Sequence, residues 1–355
     1  MTYTEFAMFD SSDGLARRRR NLLLAVVQDF IASAEPVGSL HLTSKYNLGV
    51  RAATIRSLMA ELEVEGYLHQ PHTSAGRVPT DKAFRFYVDS IIPNQRYIGF
   101  RERTQIEFHY SERAKDLSEV MRDTSRLLAL LTGQAAVVVA PRLESVILER
   151  VNFVRVMRPR QVLAIFVAQA GSIQSRLIEA DQDYSQDELD RMANYLNRCI
   201  NGQTIEGARR RIEQALSEER ARYDNLARAA LTLGDAVISR PAPAEVYVEG
   251  NAQALDQPEF SDVNKLKDLL RALEDKTALL NLLERSLNGF GLMVSIGSEN
   301  VDVRLSDLSV VAAAYASGAA PLGSVAVVGP VRMDYDRVIP LVDYTAKALS
   351  RVLEP

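Results

Sequence analysis

An α+β fold is predicted for this chain on three observations. Helical periodicity recurs three times near the N-terminus, followed by two short extended segments around a tip of small residues. Farther on, compact apolar runs with strand character alternate with amphipathic helices. Between two groups of these runs lies Tyr184–Ser239, rich in charge and almost wholly helical in pattern, which reads as an excursion from a central sheet.

Residues 1–14 carry polar and small residues and are expected to be disordered. A first helix is expected over Leu15–Ala34, because Leu23, Val26, Val27, Phe30 and Ile31 share one face at helical spacing. Glu35-Pro36-Val37-Gly38 breaks it, and Ser39 is suited to cap a short second helix, Leu40–Tyr46. Asn47-Leu48-Gly49 then turns into a third helix within Val50–Leu68. Two extended pieces flank Thr73-Ser74-Ala75-Gly76, a hairpin tip, and Thr80 caps a helix over Asp81–Ile92. Pro93-Asn94-Gln95 closes this first unit, residues 15–96. Three helices and a hairpin in this order make a winged helix-turn-helix.

The body follows. Helix Ser118–Leu131 leads into the apolar run Ala135–Ala140, and Ile147–Met157 and Val162–Val167 read as strands across an Arg158-Pro159-Arg160 turn. After the helical excursion come strand Glu245–Glu249 and helix Asp262–Leu287. Strands Gly291–Ile296, Ser309–Tyr315 and Ser324–Val328 and a closing helix, Asp336–Leu353, complete the pattern. The body therefore divides into 97–183 and 245–355, with 184–244 inserted between them.

The third helix carries the functional signal. With 100° per residue, Ile55, Leu58, Met59 and Leu62 form a core stripe. Ala53, Ser57 and Ala60 lie opposite it, with Thr54 and Arg56 on the flanks and Arg51 at the start. A slim face of this kind suits a major groove about 12 Å wide. Arginine can bond guanine in a bidentate way, threonine and serine can serve base or phosphate, and alanine can meet a thymine methyl. Ser39 at the second helix, Ser74 at the hairpin tip and Arg77 just after it are placed to touch the phosphate backbone or minor groove. Arg17–Arg20 suits either a phosphate backbone or solvent.

Charge agrees with this division. The net charge is −4, yet Lys and Arg outnumber Asp and Glu within residues 15–96 and are outnumbered elsewhere. A basic front end on an acidic body fits an anionic partner for the front end alone. The apolar share of 47% supports a packed core, and no apolar run reaches the length of a membrane span. Cys199 is the single cysteine, which excludes an internal disulfide, suits a cytoplasmic location and is expected to be an inert buried side chain. The four histidines lack metal-site spacing, and there is no P-loop or Cys/His nucleophile pair, so neither an enzyme nor a cofactor is expected. Gly289-Phe290-Gly291 lacks the continuation a dinucleotide site needs.

Several separated segments together resemble one family. EPVGS (35–39), ATIR (53–56), SAGRVPTDKAFRFYVD (74–89), VYVEG (246–250), IGSEN (296–300) and GPVRMDY (329–335) are similar to the heat-inducible transcription repressors of the HrcA family. The resemblance spans about Arg17 to Leu353. It implies an N-terminal winged helix and a GAF-like domain interrupted by a mainly helical segment that helps build a homodimer. It also implies repression of the GroE and DnaK chaperone operons through an inverted-repeat operator, CIRCE, with activity dependent on the GroE chaperonin. During heat stress unfolded proteins occupy that chaperonin, and repression is relieved. Two departures stand out. Ser57-Leu58 replaces the Asn-Asp common in the family, shortening a side chain on the outward face, and Ala83-Phe84 replaces Gly-Tyr, a packing change.

Leu189, Met192, Tyr195 and Leu196, with Cys199, form an apolar stripe in the helical excursion and are the expected dimer contacts. A two-fold dimer suits an inverted repeat. Packing of this stripe on the sheet of its own chain is the alternative. A second functional reading makes the GAF-like domain a small-molecule sensor that gates a winged helix. Val294, Val310 and Val327 are expected to be core rather than pocket lining.

Overall fold

The computed structural model describes residues 14–353 apart from 47, 95–97, 112–116, 142–146, 169–172, 220–224, 239–244, 253–256, 289–290, 301, 303–304 and 318–319. The N-terminal tail up to residue 13, Asn47 of the turn and Gly289-Phe290 lie outside the described residues. The fold is mixed α/β with antiparallel sheets.

The chain begins with helices α1 (Gly14–Ser33), α2 (Ser39–Lys45) and α3 (Ala52–Val64), strands β1 (Leu68–His69) and β2 (Val78–Pro79), and helix α4 (Asp81–Ile91). All of Leu22–Val27 in α1 is buried, more than one face provides, because α3, α4 and β2 all pack on this helix. The α3 stripe is Ile55, Leu58, Met59 and Leu62, each below 5% exposed. Gly66, at φ +79°, ends α3: its amide bonds Glu63 O at 2.9 Å, and that of Tyr67 bonds Leu62 O at 2.9 Å.

A helix absent from the sequence reading, α5 (Phe100–Ser111), leads to α6 (Leu117–Thr132). Its hydrophobic pattern is weak, and among its described side chains only Ile106 is buried outright. Strand β3 (Ala135–Val139) then enters the larger sheet, which is completed by β7 (Val246–Glu249), β8 (Leu292–Ile296), β9 (Leu308–Ser317) and β10 (Ala320–Pro330) in the order β7-β3-β10-β9-β8. Every residue of β3 is buried, as a strand covered on both faces requires. One face carries Ala136, Val138, Val311, Ala313, Val325 and Val327 against α6 and α12 (Tyr335–Leu353). The other carries Ala135, Val137, Val139, Val310, Ala312 and Val328 against α10 (Val263–Glu274) and α11 (Lys276–Asn288). The single helix expected over Asp262–Leu287 is thus two. Asp275 breaks it, its carboxylate accepting the Ala278 amide at 3.0 Å as a cap of the second helix.

The excursion starts earlier than the helical pattern implied. Strands β4 (Leu148–Arg155), β5 (Gln161–Ala168) and the unanticipated β6 (Ile173–Glu179) form a separate three-stranded meander, not part of the larger sheet. Helices α7 (Gln186–Ile200), α8 (Ile205–Glu219) and α9 (Asn225–Ile238) complete this unit. Val151, Phe153, Val162, Ala164 and Ile178 make the inner sheet face beneath α7 and α9. Helix α7 also completes the free edge of β4. Asn197 accepts the Val151 amide at 2.7 Å and donates to its carbonyl at 2.9 Å, and Gln186 does the same for Arg155 and Phe153 at 2.9 Å each.

The expected dimer stripe is corrected by this packing. Leu189 and Met192 are 0% exposed and Leu196 is 1% exposed, so these side chains form the core of their own unit. Tyr195 and Cys199 are half-buried against that core. The helical period recorded that α7 has an apolar face but not that its own sheet covers it.

Candidate nucleic-acid interface

The slim face of α3 is open to solvent. Arg51, Ala53, Thr54, Arg56, Ser57 and Ala60 are all exposed. Among the described residues, neither the Arg51 nor the Arg56 guanidinium has a hydrogen-bond or ion-pair partner. Leu58, the second residue of the Ser57-Leu58 departure from the family pattern, is buried, so that part of the substitution falls on the core side.

The other end of α3 is acidic, and its charges are engaged. Arg19 of α1 pairs with Glu61 at 3.7 Å and also with Glu65, and Arg77 pairs with Glu63 at 2.9 Å. Cations from both sides therefore neutralise the carboxylates that would repel a phosphate backbone beside the α3 N-terminus. This changes the expected role of Arg77. Its side chain is only 16% exposed and turns back to α3 instead of standing free on a wing. Arg19 likewise leaves the expected basic run as a paired residue, while Arg17 and Arg18 are exposed and Arg20 lies over the Phe86 ring at 5.8 Å.

The hairpin is fastened to the helical part by backbone. Val37 and Arg77 exchange two N–H···O bonds of 2.9 Å each, which joins the segment before α2 to the one before β2. Gly76 is required there, because a Cβ would stand 2.4 Å from the Val37 oxygen. The tip is braced by Gln70, whose side-chain amide donates to Thr73 O and Ala75 O at 2.9 Å each. Ser74 at that tip is exposed. Ser39 is half-buried and is the first helical residue of α2. Gly38 occupies the cap position, and no side-chain cap bond forms there, contrary to expectation.

Helix α2 is oriented by a residue that the sequence reading passed over. Asp29 of α1 is 3% exposed, and its carboxylate accepts from Lys45 at 2.6 Å and meets His41 Nε2 at 3.1 Å. A buried carboxylate needs such partners. One acidic residue at the end of an apolar run was the only local sign of this. Glu63 and Gln70 left no local sign, since their roles depend on partners brought together by folding.

Elsewhere, Val310 and Val327 are fully buried on opposite faces of the larger sheet, and Val294 is half-buried. A depression of about 440 Å³ between α6 and β7 is lined by Arg126, Ala129, Leu130, Val248, Glu249, Gly250, Asn251 and Ala252 and is open to solvent. No described helix is long and apolar enough to cross a membrane.

The profile of the HrcA protein C-terminal domain matches residues 118–339. The heat-inducible transcription repressor HrcA of Geobacter sulfurreducens is 42% identical over 340 residues, covering 96% of this chain and 98% of that protein. The repressor of the same name from Syntrophobacter fumaroxidans is 39% identical over 342 residues, covering 96% and 98%. A crystal structure of a hypothetical protein at 2.2 Å resolution superposes with a TM-score of 0.64 at 25% identity, covering 95% of this chain and 98% of that one. Similarity of this extent, over both the front end and the body, means that the chain belongs to the HrcA family of heat-inducible transcription repressors.

Proposed function

We propose that this chain represses transcription by binding an inverted-repeat DNA operator as a homodimer. In this reading α1–α3 and the β1–β2 hairpin form a winged helix-turn-helix, and α3 enters the major groove. One observation carries it. The exposed face of α3 joins two unpaired arginines to small side chains, while the acidic end of the same helix is neutralised from both sides. Arg56 is assigned to a base edge, Arg51, Thr54 and Ser57 to bases or phosphates, and Ala53 to an apolar contact. Ser39 and Ser74 take positions toward the backbone, and Arg77 acts through Glu63 as a support for the hairpin.

The body is GAF-like in this proposal, and the inserted unit provides the dimer contact. Because α7 is spent on its own sheet, the surface that supports dimerisation is the outer face of the meander. Val154 and Leu177 are exposed there beside half-buried Leu163, Ile165 and Val167. Family membership supports CIRCE as the operator, the GroE and DnaK operons as targets, and loss of repression when heat-damaged proteins occupy the GroE chaperonin.

Fluorescence anisotropy of an inverted-repeat duplex and a scrambled duplex, titrated with and without chaperonin, tests this reading. Salt-sensitive binding selective for the repeat and improved by chaperonin is expected. Equal affinity for both duplexes under every condition would overturn the operator assignment, and indifference to chaperonin would overturn the regulatory part.

A further inference from the structure

Three of the segments that mark the family, residues 74–89, 296–300 and 329–335, meet at one place, the contact between the N-terminal unit and the body. Asp81, the first residue of α4, accepts from the Ser298 amide at 2.9 Å and the Ser298 hydroxyl at 2.8 Å. Arg85, one turn on, donates from Nε to Glu299 at 2.7 Å and from Nη2 to the Val294 carbonyl at 2.7 Å. Glu299 is itself held by the Ile296 amide at 3.0 Å. Gly297 sits between these partners with φ +52°, and a Cβ there would stand 2.4 Å from the Asp81 carboxylate. Only glycine allows this approach.

A second set of contacts lies on the same seam. The Tyr87 hydroxyl donates to Asp336 at 2.9 Å, and Phe84 packs between Phe30 and Tyr335 with ring centroids 6.3 Å apart in both pairs. Arg332 donates to the Ile31 carbonyl at the end of α1 at 2.6 Å and is anchored by Glu259. One continuous hydrophobic core runs across the seam, from Leu58 and Phe84 to Val338 and Val342. Carboxylates and guanidinium groups with several fixed acceptors and donors each define an orientation more sharply than apolar packing does.

We infer that Asp81 and Arg85 are positioning residues for operator recognition: clamped to Ser298, Glu299 and Val294, they set the angle at which the body holds the reading helix. The inference rests on the operator-binding homodimer proposed above. In such a dimer the two α3 helices must meet major grooves on one side of the duplex, a whole number of helical turns apart. A rigid seam turns the dimer geometry into a fixed spacing between them. A loosened seam leaves each reading helix intact but turns rigid bivalency into flexible tethering, with a lower effective concentration for the second half-site.

The test measures binding of the full-length protein to three kinds of duplex: a single half-site, the inverted repeat at its natural spacing, and repeats with the spacer lengthened or shortened by a few base pairs. The variants are Asp81→Ala, Arg85→Met and the milder Glu299→Gln, each checked for folding by circular dichroism. Wild type is expected to show a sharp spacing optimum. The variants are expected to bind the half-site as wild type does, to bind the natural repeat roughly tenfold more weakly, and to show a flattened spacing profile. Folded variants that keep the sharp optimum would overturn the inference, as would a half-site loss as large as the loss on the repeat. A wild-type protein that does not prefer the repeat over scrambled DNA would instead overturn the operator reading itself.

Discussion

Arg56→Ala separates recognition from folding. Arg56 is exposed on α3, and its guanidinium has no partner among the described residues. Its removal therefore leaves no buried group unsatisfied and places a good helix former on the surface, so stability should change by no more than about 0.5 kcal/mol. Loss of a bidentate base contact costs about 1–3 kcal/mol per copy. A dimer on an inverted repeat uses two copies, so operator affinity should fall by roughly 2–6 kcal/mol, or about thirtyfold to twenty-thousandfold. Binding to scrambled DNA should change far less, and the salt slope on the operator should persist, since phosphate contacts rather than base contacts set it. Anisotropy titrations at several salt concentrations, with urea denaturation of the same preparation, read all three quantities. An unchanged ratio of operator to scrambled affinity in a normally stable variant would refute the assignment of α3 as the reading helix.

Other expectations concern the framework. Gly76→Ala drives a Cβ into the Val37 backbone at 2.4 Å and breaks two 2.9 Å backbone bonds, so a loss of about 2–4 kcal/mol is expected in urea denaturation. Leu177→Glu, at a side chain 53% exposed on the outer meander face, should shift sedimentation toward monomer without unfolding the chain. Leu196→Ala, at 1% exposure, should instead destabilise the inserted unit by about 2–5 kcal/mol. Burial is the largest single influence on Glu259 and Glu299 and opposes their ionisation, but the hydrogen bonds and positive charge of Arg332 and Arg85 together with backbone amide hydrogen bonds outweigh it and hold both below the ordinary value of 4.5. With the folded pKa depressed, their contribution is complete above about pH 4.5 and is lost as pH falls through the folded value. Urea midpoints measured down this range should decline, and Glu299→Gln should flatten part of the decline. An equal decline in that variant would show that Glu299 does not contribute.

Much of the local structure was legible in the residues themselves. The four-residue stripe of α3, the glycine that ends it and the apolar runs of the larger sheet follow from side-chain period and backbone freedom, which act within a few residues. The same period showed that α7 must bury one face. It could not say whether a partner subunit or the chain's own sheet would cover it, because an apolar stripe has the same spacing in either case. Nor could it separate β4 and β5 from the larger sheet, since strand pairing is a contact between distant segments with little chemical preference of its own.

Charge showed the sharpest division between the two levels. Composition placed an excess of cations at the front end, and local reading set Arg77 beside the DNA. Only the fold brought Arg77 to Glu63, Arg19 to Glu65 across 46 positions, and Arg85 to Glu299 across 214. An ion's role depends on what lies within a few ångströms of it in space, and the chain order leaves that distance open until the core has formed.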